Sequence, residues 1–132
     1  MTWRDFWNRP HSIYVNERHR TVHYRAIARD MLRFVPNAGS RVLDHGCGEA
    51  LAAPLVARHC GQLFLYDAAP TVREKLVARF EPEKRIEVLD DEDLAALPDG
   101  SIDLVVANSL LQYLTRDEFA GLLEFWRGKL AP

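Results

Sequence analysis

The chain has 132 residues, which suits one domain and leaves little room for a second. Hydrophobic residues make up 48% and charged residues 27%, a composition typical of a folded globular domain rather than a disordered chain. The formal net charge of −2 disfavours a broad basic surface for nucleic acid. No apolar run approaches the roughly 18 residues that a membrane span needs. We therefore expect no nucleic-acid and no membrane partner.

The compartment is predicted from the N-terminus and the cysteines. The first five residues lack the apolar core of a secretory signal. Cys47 and Cys60 are too few for a disulfide framework, so the sequence predicts a reduced, cytoplasmic chain.

Residues 1–18 are rich in aromatic and basic side chains and are predicted to form an arm or lid on a domain that spans residues 19–132. Two interpretations of the arm stay open. Its aromatic side chains either cover a pocket or pack against the helices of the domain. The side chains concerned are Trp3, Phe6, Trp7 and Tyr14.

The rest of the chain alternates between helical and strand-like patterns. A helical stripe runs from Tyr24 to Val35, and the breaker residues 36–39 end it. Short apolar runs at 42–43, 63–66, 86–89 and 102–107 predict four strands, with helix-like segments at 51–59 and 71–80. Strands and helices that alternate in this way predict an α/β fold with a parallel sheet covered on both faces.

The C-terminal segment is predicted to be a helix that begins with a capping box, because Thr115 is followed three residues later by Glu118. With only four strands, the apolar run 102–107 lies at a sheet edge, where it invites pairing. We expect either a homodimer or partner chain to cover this edge, or the polypeptide to be a fragment of a longer fold.

The main chemical signal lies where the first strand turns into the first helix of the α/β pattern. Gly46 and Gly48 allow a sharp turn and a close approach of ligand to backbone. A dinucleotide fingerprint requires a third glycine where this chain has Leu51. The nearby Asp44 suits a cationic amino group and would not help to bind a pyrophosphate. A nicotinamide-dependent oxidoreductase is therefore disfavoured, although it remains an alternative.

Acids follow the next two strands. Asp67 ends the second strand, where a carboxylate can accept hydrogen bonds from both hydroxyls of a ribose. The run Asp90–Asp93 follows the third strand, where a carboxylate can accept from an adenine amino group. In chain order, the sequence therefore predicts a glycine loop for the tail of a nucleoside-containing cofactor, an acid for its ribose and an acid for its base.

At this point the chain resembles the class I S-adenosylmethionine-dependent methyltransferases, especially their small-molecule subset, from about residue 20 to its end. The resemblance lies in residues 42–48 (VLDHGCG), in Asp67, in the segment 93–98 (DLAALP) and in the stretch 101–114 (SIDLVVANSLLQYL). It implies a Rossmann-like, doubly wound sheet of four mainly parallel strands in the order 3-2-1-4. It also implies a truncated form of the seven-stranded fold that lacks the C-terminal strands.

The resemblance implies S-adenosyl-L-methionine as the cofactor, S-adenosyl-L-homocysteine as its product, and transfer of methyl to O, N or C of a small-molecule acceptor. The cofactor-binding residues that it implies are Asp44, Gly46, Cys47, Gly48, Asp67, Ala68, Asp93, Leu94, Asn108, Tyr14 and Arg20. No catalytic base is identified, and Asn108, Gln112 and Tyr113 are the candidates on the acceptor side. A third glycine, common in the family, is replaced by Ala50, which we expect to be tolerated.

Three alternatives remain at this stage. Beside the active methyltransferase, they are a nicotinamide-dependent oxidoreductase, a catalytically incomplete domain that only binds the cofactor or acts as a scaffold, and a fragment of an active enzyme. His45 faces either the acceptor or solvent, and Cys47 is a small loop residue rather than a nucleophile. His19 and His23 have the spacing of metal ligands but lack an identifiable third ligand, so no metal site is predicted.

Overall fold

The structure, a computed structural model, describes residues 1–10 and 12–132, and His11 in the predicted arm lies outside the described residues. Four strands and six α-helices are described, together with a 3-10 turn at Leu111–Tyr113. The strands are β1 (Arg41–His45), β2 (Gln62–Tyr66), β3 (Ile86–Val88) and β4 (Leu104–Val106). The helices are α1 (Trp3–Trp7), α2 (Glu17–Leu32), α3 (Ala53–Ala57), α4 (Pro70–Phe80), α5 (Asp91–Ala96) and α6 (Arg116–Lys129).

The four strands form one parallel sheet in the order β3-β2-β1-β4, which confirms the predicted fold class and strand order. The register sets His45, the last residue of β1, against Tyr66, the last residue of β2. Because all strands run the same way, their carboxyl ends and the loops that follow them meet at one edge of the sheet.

Apolar side chains pack on both faces of the sheet because neighbouring residues of a strand point to opposite sides. Val42 belongs to the cluster formed with α2, α3 and α4, whereas Leu43 belongs to a second cluster with Leu89, Leu97 and Ile102. Both β1 residues are fully buried. Burial on both faces explains why the strands appear in the sequence as continuous apolar runs.

Strand β4, at the edge of the sheet, is shorter than the predicted strand 102–107. Only Leu104–Val106 pair with β1. Ile102 instead forms a parallel bridge with Leu130: its N–H donates to the Lys129 carbonyl at 2.9 Å, and its carbonyl accepts from Ala131 N at 2.7 Å. The segment that follows α6 therefore begins to pair with the start of this edge, and coverage of the remainder by a second chain stays a prediction.

The N-terminal arm lies across the carboxyl-end edge of the sheet, and α2 begins within the predicted arm, at Glu17. Among the contacts that hold the arm are two polar ones from residues 1–10. Arg4 pairs with Glu118 of α6 at 3.0 Å, and the side chain of Asn8 accepts from the Thr71 N–H of α4 at 3.2 Å.

Within the described residues, no helix has both the length and the apolar character needed to cross a membrane.

Ala50 is a point of backbone strain. Its φ of +46° lies in the left-handed region, where a Cβ is unfavourable, and its side chain is buried. The predicted tolerance of alanine at this position therefore has an energetic cost.

We expect Ala50→Gly to raise the free energy of unfolding by about 1 kcal/mol, because glycine adopts positive φ without this cost. Chemical denaturation measures the effect. The matched control is Ala53→Gly, equally buried but helical, which should lower stability by about 1 kcal/mol. Destabilisation of similar size in both variants would contradict the strain at Ala50.

Candidate functional site

The loop that follows β1 turns back on the sheet through two glycines. Gly46 has a φ of +83° and Gly48 a φ of +59°, conformations that favour glycine. The N–H groups of Gly46 and Cys47 both donate to the Tyr66 carbonyl, at 2.7 and 3.1 Å. These two bonds fix the start of the loop to the end of β2.

The Asp67 carboxylate joins the β1 loop to the β2 loop. One oxygen accepts from the Gly48 N–H at 3.1 Å and the other from the Ala69 N–H at 3.0 Å. Burial raises the pKa of Asp67, and these two backbone donors oppose that shift. A carboxylate offers about four acceptor positions, so Asp67 can still accept from ligand hydroxyls.

A second set of contacts fixes the far side of the glycine loop. The Tyr24 hydroxyl of α2 accepts from the Glu49 N–H at 3.0 Å and from the Tyr14 hydroxyl at 3.2 Å. The Glu49 carboxylate pairs with Arg20 at 3.0 Å. The buried Tyr24 side chain thus couples the conformation of the loop to α2 and to the arm.

A cavity of about 470 Å³ lies over these loops, within the range of about 300–1,000 Å³ that is usual for small-molecule sites. It brings together residues from the ends of β1, β2 and β4 with α5, α6 and the arm. Most of the residues predicted for the cofactor and the acceptor line it, and they are Tyr14, Gly46, Cys47, Gly48, Asp67, Ala68, Leu94, Asn108, Gln112 and Tyr113.

Three predicted cofactor residues do not line this cavity. Arg20 is paired with Glu17 and Glu49. Asp93 closes the capping box of α5, where its carboxylate accepts from Asp90 N at 3.2 Å. Asp44 borders a separate space of about 20 Å³ that shares Tyr24, Ile27 and Cys47 with the main cavity.

Asp44 is electrostatically unusual. Its side chain is almost completely buried, and none of the described residues donates a hydrogen bond to its carboxylate. Burial, with a smaller contribution from the nearby negative charge of Asp67, raises the pKa of Asp44 to about 7. A cation placed close to Asp44 would favour its ionised form.

His45 turned out to be buried and to line the cavity, an arrangement that the sequence left open. The Trp126 indole N–H donates to His45 Nδ1 at 3.1 Å. Because Nδ1 accepts, the proton of the neutral ring is on Nε2. Burial lowers the pKa of His45 to about 4, so the ring is neutral near pH 7. Asp44 and His45 are consecutive residues of one predicted strand, so the sequence already indicated that their side chains face opposite sides of the sheet.

Several cavity residues were not predicted as site residues. Trp3 and Trp7 of the arm line it, as do Tyr24 of α2 and Leu110, Leu114 and Leu122 near the C-terminal helix. Trp3 and Trp7 therefore cover the cavity rather than packing only against helices. The sequence left both arrangements of these side chains open, because their approach to the cavity depends on contacts between distant parts of the chain.

The structure gives the surroundings of Cys47 and of His19. Burial raises the pKa of the Cys47 thiol, so it stays protonated, as expected for a small loop residue. His19 Nδ1 accepts from the Val15 N–H at 3.1 Å. In the described ranges 1–10 and 12–132, no three His, Cys, Asp or Glu side chains are grouped as metal ligands would be.

We expect Gly48→Ala to disrupt the loop, because the added Cβ would lie 2.8 Å from the Tyr24 hydroxyl at a positive φ. The free energy of unfolding should fall by about 1–3 kcal/mol. The double variant Gly48→Ala/Tyr24→Phe should recover part of the loss, since the hydroxyl is gone. Gly128→Ala in α6, where a Cβ meets nothing within 4 Å, is the control and should not destabilise. Equal stability of Gly48→Ala and wild type would contradict the close approach.

The chain is similar to known methyltransferases. Residues 43–132, more than half of the chain, match the methyltransferase domain family. Ubiquinone biosynthesis O-methyltransferase of Xanthomonas oryzae pv. oryzae is 36% identical over 80 residues, which cover 58% of this chain and 34% of that protein. The chain thus spans about a third of the length of the curated relatives that it matches.

Solved structures share the fold. Phosphoethanolamine N-methyltransferase 1 of Haemonchus contortus, determined with phosphoethanolamine and S-adenosylhomocysteine, aligns with a TM-score of 0.73 and 22% identity over 98% of this chain and 28% of that one. A SAM-dependent methyltransferase of Leishmania major aligns with a TM-score of 0.73 and 18% identity over 98% of this chain and 55% of that one. The family match and the shared architecture agree with the resemblance found in the sequence: this chain belongs to the methyltransferase domain family.

Proposed function

We propose that this domain binds S-adenosyl-L-methionine and transfers its methyl group to O, N or C of a small molecule. The observation that carries this proposal is that the glycine loop, Asp67 and Leu94, at the ends of three neighbouring strands, line one cavity of about 470 Å³. Family membership supports the same conclusion.

The residues present fit such a cofactor. Asp67 would accept from the ribose hydroxyls while its backbone contacts hold the loop in place. Leu94 and Tyr66 offer apolar surface for the base. The negative charges of Asp44 and Asp67 favour the cationic amino group of the cofactor tail. When bound, this cofactor supplies an electrophilic methyl group on a sulfonium.

The contacts expected for the adenine base are less direct than those for the ribose. Asp93 accepts from Asp90 N through one oxygen, and the Leu94 N–H donates to the Asp90 carbonyl at 3.0 Å. We propose that the second oxygen of Asp93 meets the adenine amino group, which requires a small shift of the α5 cap. The proposed role of Arg20 is to hold Glu49 and thereby the loop.

The acceptor is proposed to lie beside Asn108, Gln112 and Tyr113, which line the same cavity after β4. The arm would exclude water there, and positioning and desolvation contribute strongly to such transfers. The alternative is a domain that binds the cofactor without turnover. Binding measured beside methyl transfer to a panel of acceptors separates the two.

Cys47 and Cys60 are both unpaired and buried, which suits a reducing compartment, and we propose the cytoplasm. We propose that neither nucleic acid nor a membrane is a partner. We also propose that a second copy of the chain covers the β4 edge.

Calorimetric titration with S-adenosylhomocysteine tests the cofactor. We expect Asp67→Ala to weaken binding by about 10- to 100-fold, because charge-assisted hydrogen bonds to hydroxyls are lost. Asp99→Ala, an exposed acid paired with Lys129 and absent from the cavity lining, is the control and should bind like wild type. Thermal unfolding checks that both variants fold. Tight binding of NADH without binding of S-adenosylhomocysteine would overturn the proposal.

The raised pKa of Asp44 gives a pH-dependent prediction. Ionisation of a buried carboxyl whose pKa is near 7 lowers the stability of the folded chain as pH rises from about 4 to about 7. Asp44→Asn should therefore raise the free energy of unfolding at pH 8, by about 1–3 kcal/mol, and have little effect near pH 4. The same variant should bind S-adenosylhomocysteine more weakly at pH 8.

The exposed Asp30→Asn serves as the control and should change neither quantity. Wild-type affinity should rise between pH 6 and pH 8 as Asp44 ionises, and the rise should be absent in Asp44→Asn. A stability profile of Asp44→Asn that parallels wild type at every pH would show that Asp44 does not titrate in this range.

A further inference from the structure

We propose that His45 recognises the purine base of the bound cofactor, by donating a hydrogen bond from its Nε2–H to a ring nitrogen of that base. This inference rests on the proposed function and deepens it, because it assigns a side chain of β1 to the choice of base. His45, Tyr66 and Leu94 all line the cavity, and the last two offer the apolar surface where the base is proposed to lie.

The strand register places His45 beside that apolar surface. His45 and Tyr66 end β1 and β2 as paired residues, so their side chains point to the same face of the sheet. Their rings lie 4.9 Å apart between centroids at an interplanar angle of 70°. Leu94 packs on the same face as Tyr66, in the cluster around Leu43. The imidazole therefore reaches the cavity next to the two side chains that would contact a flat base.

Contacts with α6 fix both the proton and the orientation of the imidazole. The Trp126 indole N–H donates to His45 Nδ1 at 3.1 Å, and an indole can only donate. A neutral imidazole whose Nδ1 accepts carries its proton on Nε2. The rings of Phe125 and Trp126 lie 6.5 and 5.5 Å from the imidazole between centroids, which limits its rotation. Nε2–H is therefore a donor whose direction is set before any ligand binds.

This donor is open to the cavity and has no partner within the described residues. None of them accepts a hydrogen bond from His45 Nε2. The unpaired side-chain atoms that solvent cannot reach are Trp3 Nε1, Arg20 Nε and Ser101 Oγ, so Nε2 of His45 keeps accessible surface. His45 is only 5% exposed and lines the cavity, so its accessible part is the part that faces a ligand there.

A neutral donor selects a ligand atom that accepts, and the ring nitrogens of a purine accept whereas its amino group donates. The backbone donor on α5 nearest to this role, the Leu94 N–H, is already bonded to the Asp90 carbonyl at 3.0 Å. His45 supplies a donor that α5 does not, and it does so without a charge, because burial lowers its pKa to about 4. A ribose oxygen also accepts hydrogen bonds and is the competing partner.

Calorimetric titration of the full chain tests the proposal. The ligands are S-adenosylhomocysteine and its 1-deaza, 3-deaza and 7-deaza forms, each of which has C–H in place of one ring nitrogen of the base. Wild type should bind the form that lacks the recognised nitrogen about threefold to tenfold more weakly than S-adenosylhomocysteine, because Nε2–H loses its acceptor. His45→Phe should bind S-adenosylhomocysteine more weakly by a similar factor and should bind that deaza form equally well.

His23→Phe is the matched control, because His23 also lines the cavity but belongs to α2. It should keep the wild-type ratio between S-adenosylhomocysteine and each deaza form. Thermal unfolding checks that both variants fold. Nuclear magnetic resonance of the histidine nitrogens in wild type needs no substitution: the His45 proton should be on Nε2, and its signal should respond to S-adenosylhomocysteine more than to the weakly bound deaza form.

Two results would overturn the inference while binding of S-adenosylhomocysteine keeps the proposed function. One is a proton on Nδ1 of His45. The other is a His45→Phe variant that weakens all four compounds equally, which would assign Nε2–H to a ribose oxygen or His45 to packing alone. Failure of wild type to bind S-adenosylhomocysteine would overturn the proposed function and the inference with it.

Discussion

The carboxylate of Asp67 is the contact on which the site depends. It accepts one N–H from the loop after β1 and another from the loop after β2, so a single side chain holds two ligand-facing loops together. The parallel register makes this possible, because His45 and Tyr66 end their strands side by side. The Tyr66 carbonyl, which accepts from Gly46 and Cys47, fixes the same junction from the backbone.

This junction imposes both a conformational and an electrostatic cost on the folded chain. Gly46, Gly48 and Ala50 all have positive φ within five residues, and only the first two lack a Cβ. Asp44 and Asp67 are carboxyls whose pKa values burial raises, and the charge of Asp67 adds to the shift at Asp44. Strain and perturbed titration at one strand end are common at functional sites, and the surrounding hydrogen bonds keep both in place.

The two ends of the cavity are built differently. The end near Asp67 is made of loops between neighbouring parallel strands, and its position follows from the topology of the sheet. The end near Tyr113 is made of the arm and the segment before α6, which are more than a hundred residues apart and meet through exposed polar contacts and aromatic rings. We therefore expect the first end to hold its shape more firmly than the second, and to carry the part of the function shared across the family.

The sequence by itself determined the α/β class and the glycine loop, because apolar periodicity and the φ demands of glycine are local properties that a pattern can carry. The strand order followed from the family resemblance and not from these patterns. The sequence also predicted that Asp67 follows the second strand at the carboxyl-end edge of the sheet, and Asp67 lines the cavity there. The capping box that engages Asp93 is a local contact with Asp90, which the sequence analysis did not use. Only the tertiary structure decided that Arg20 pairs with Glu49 and that His45 is buried against Trp126. The same holds for the positions of Trp3 and Trp7 over the cavity. These outcomes depend on which distant side chains meet and how far each is removed from water, and no short stretch of sequence specifies either quantity.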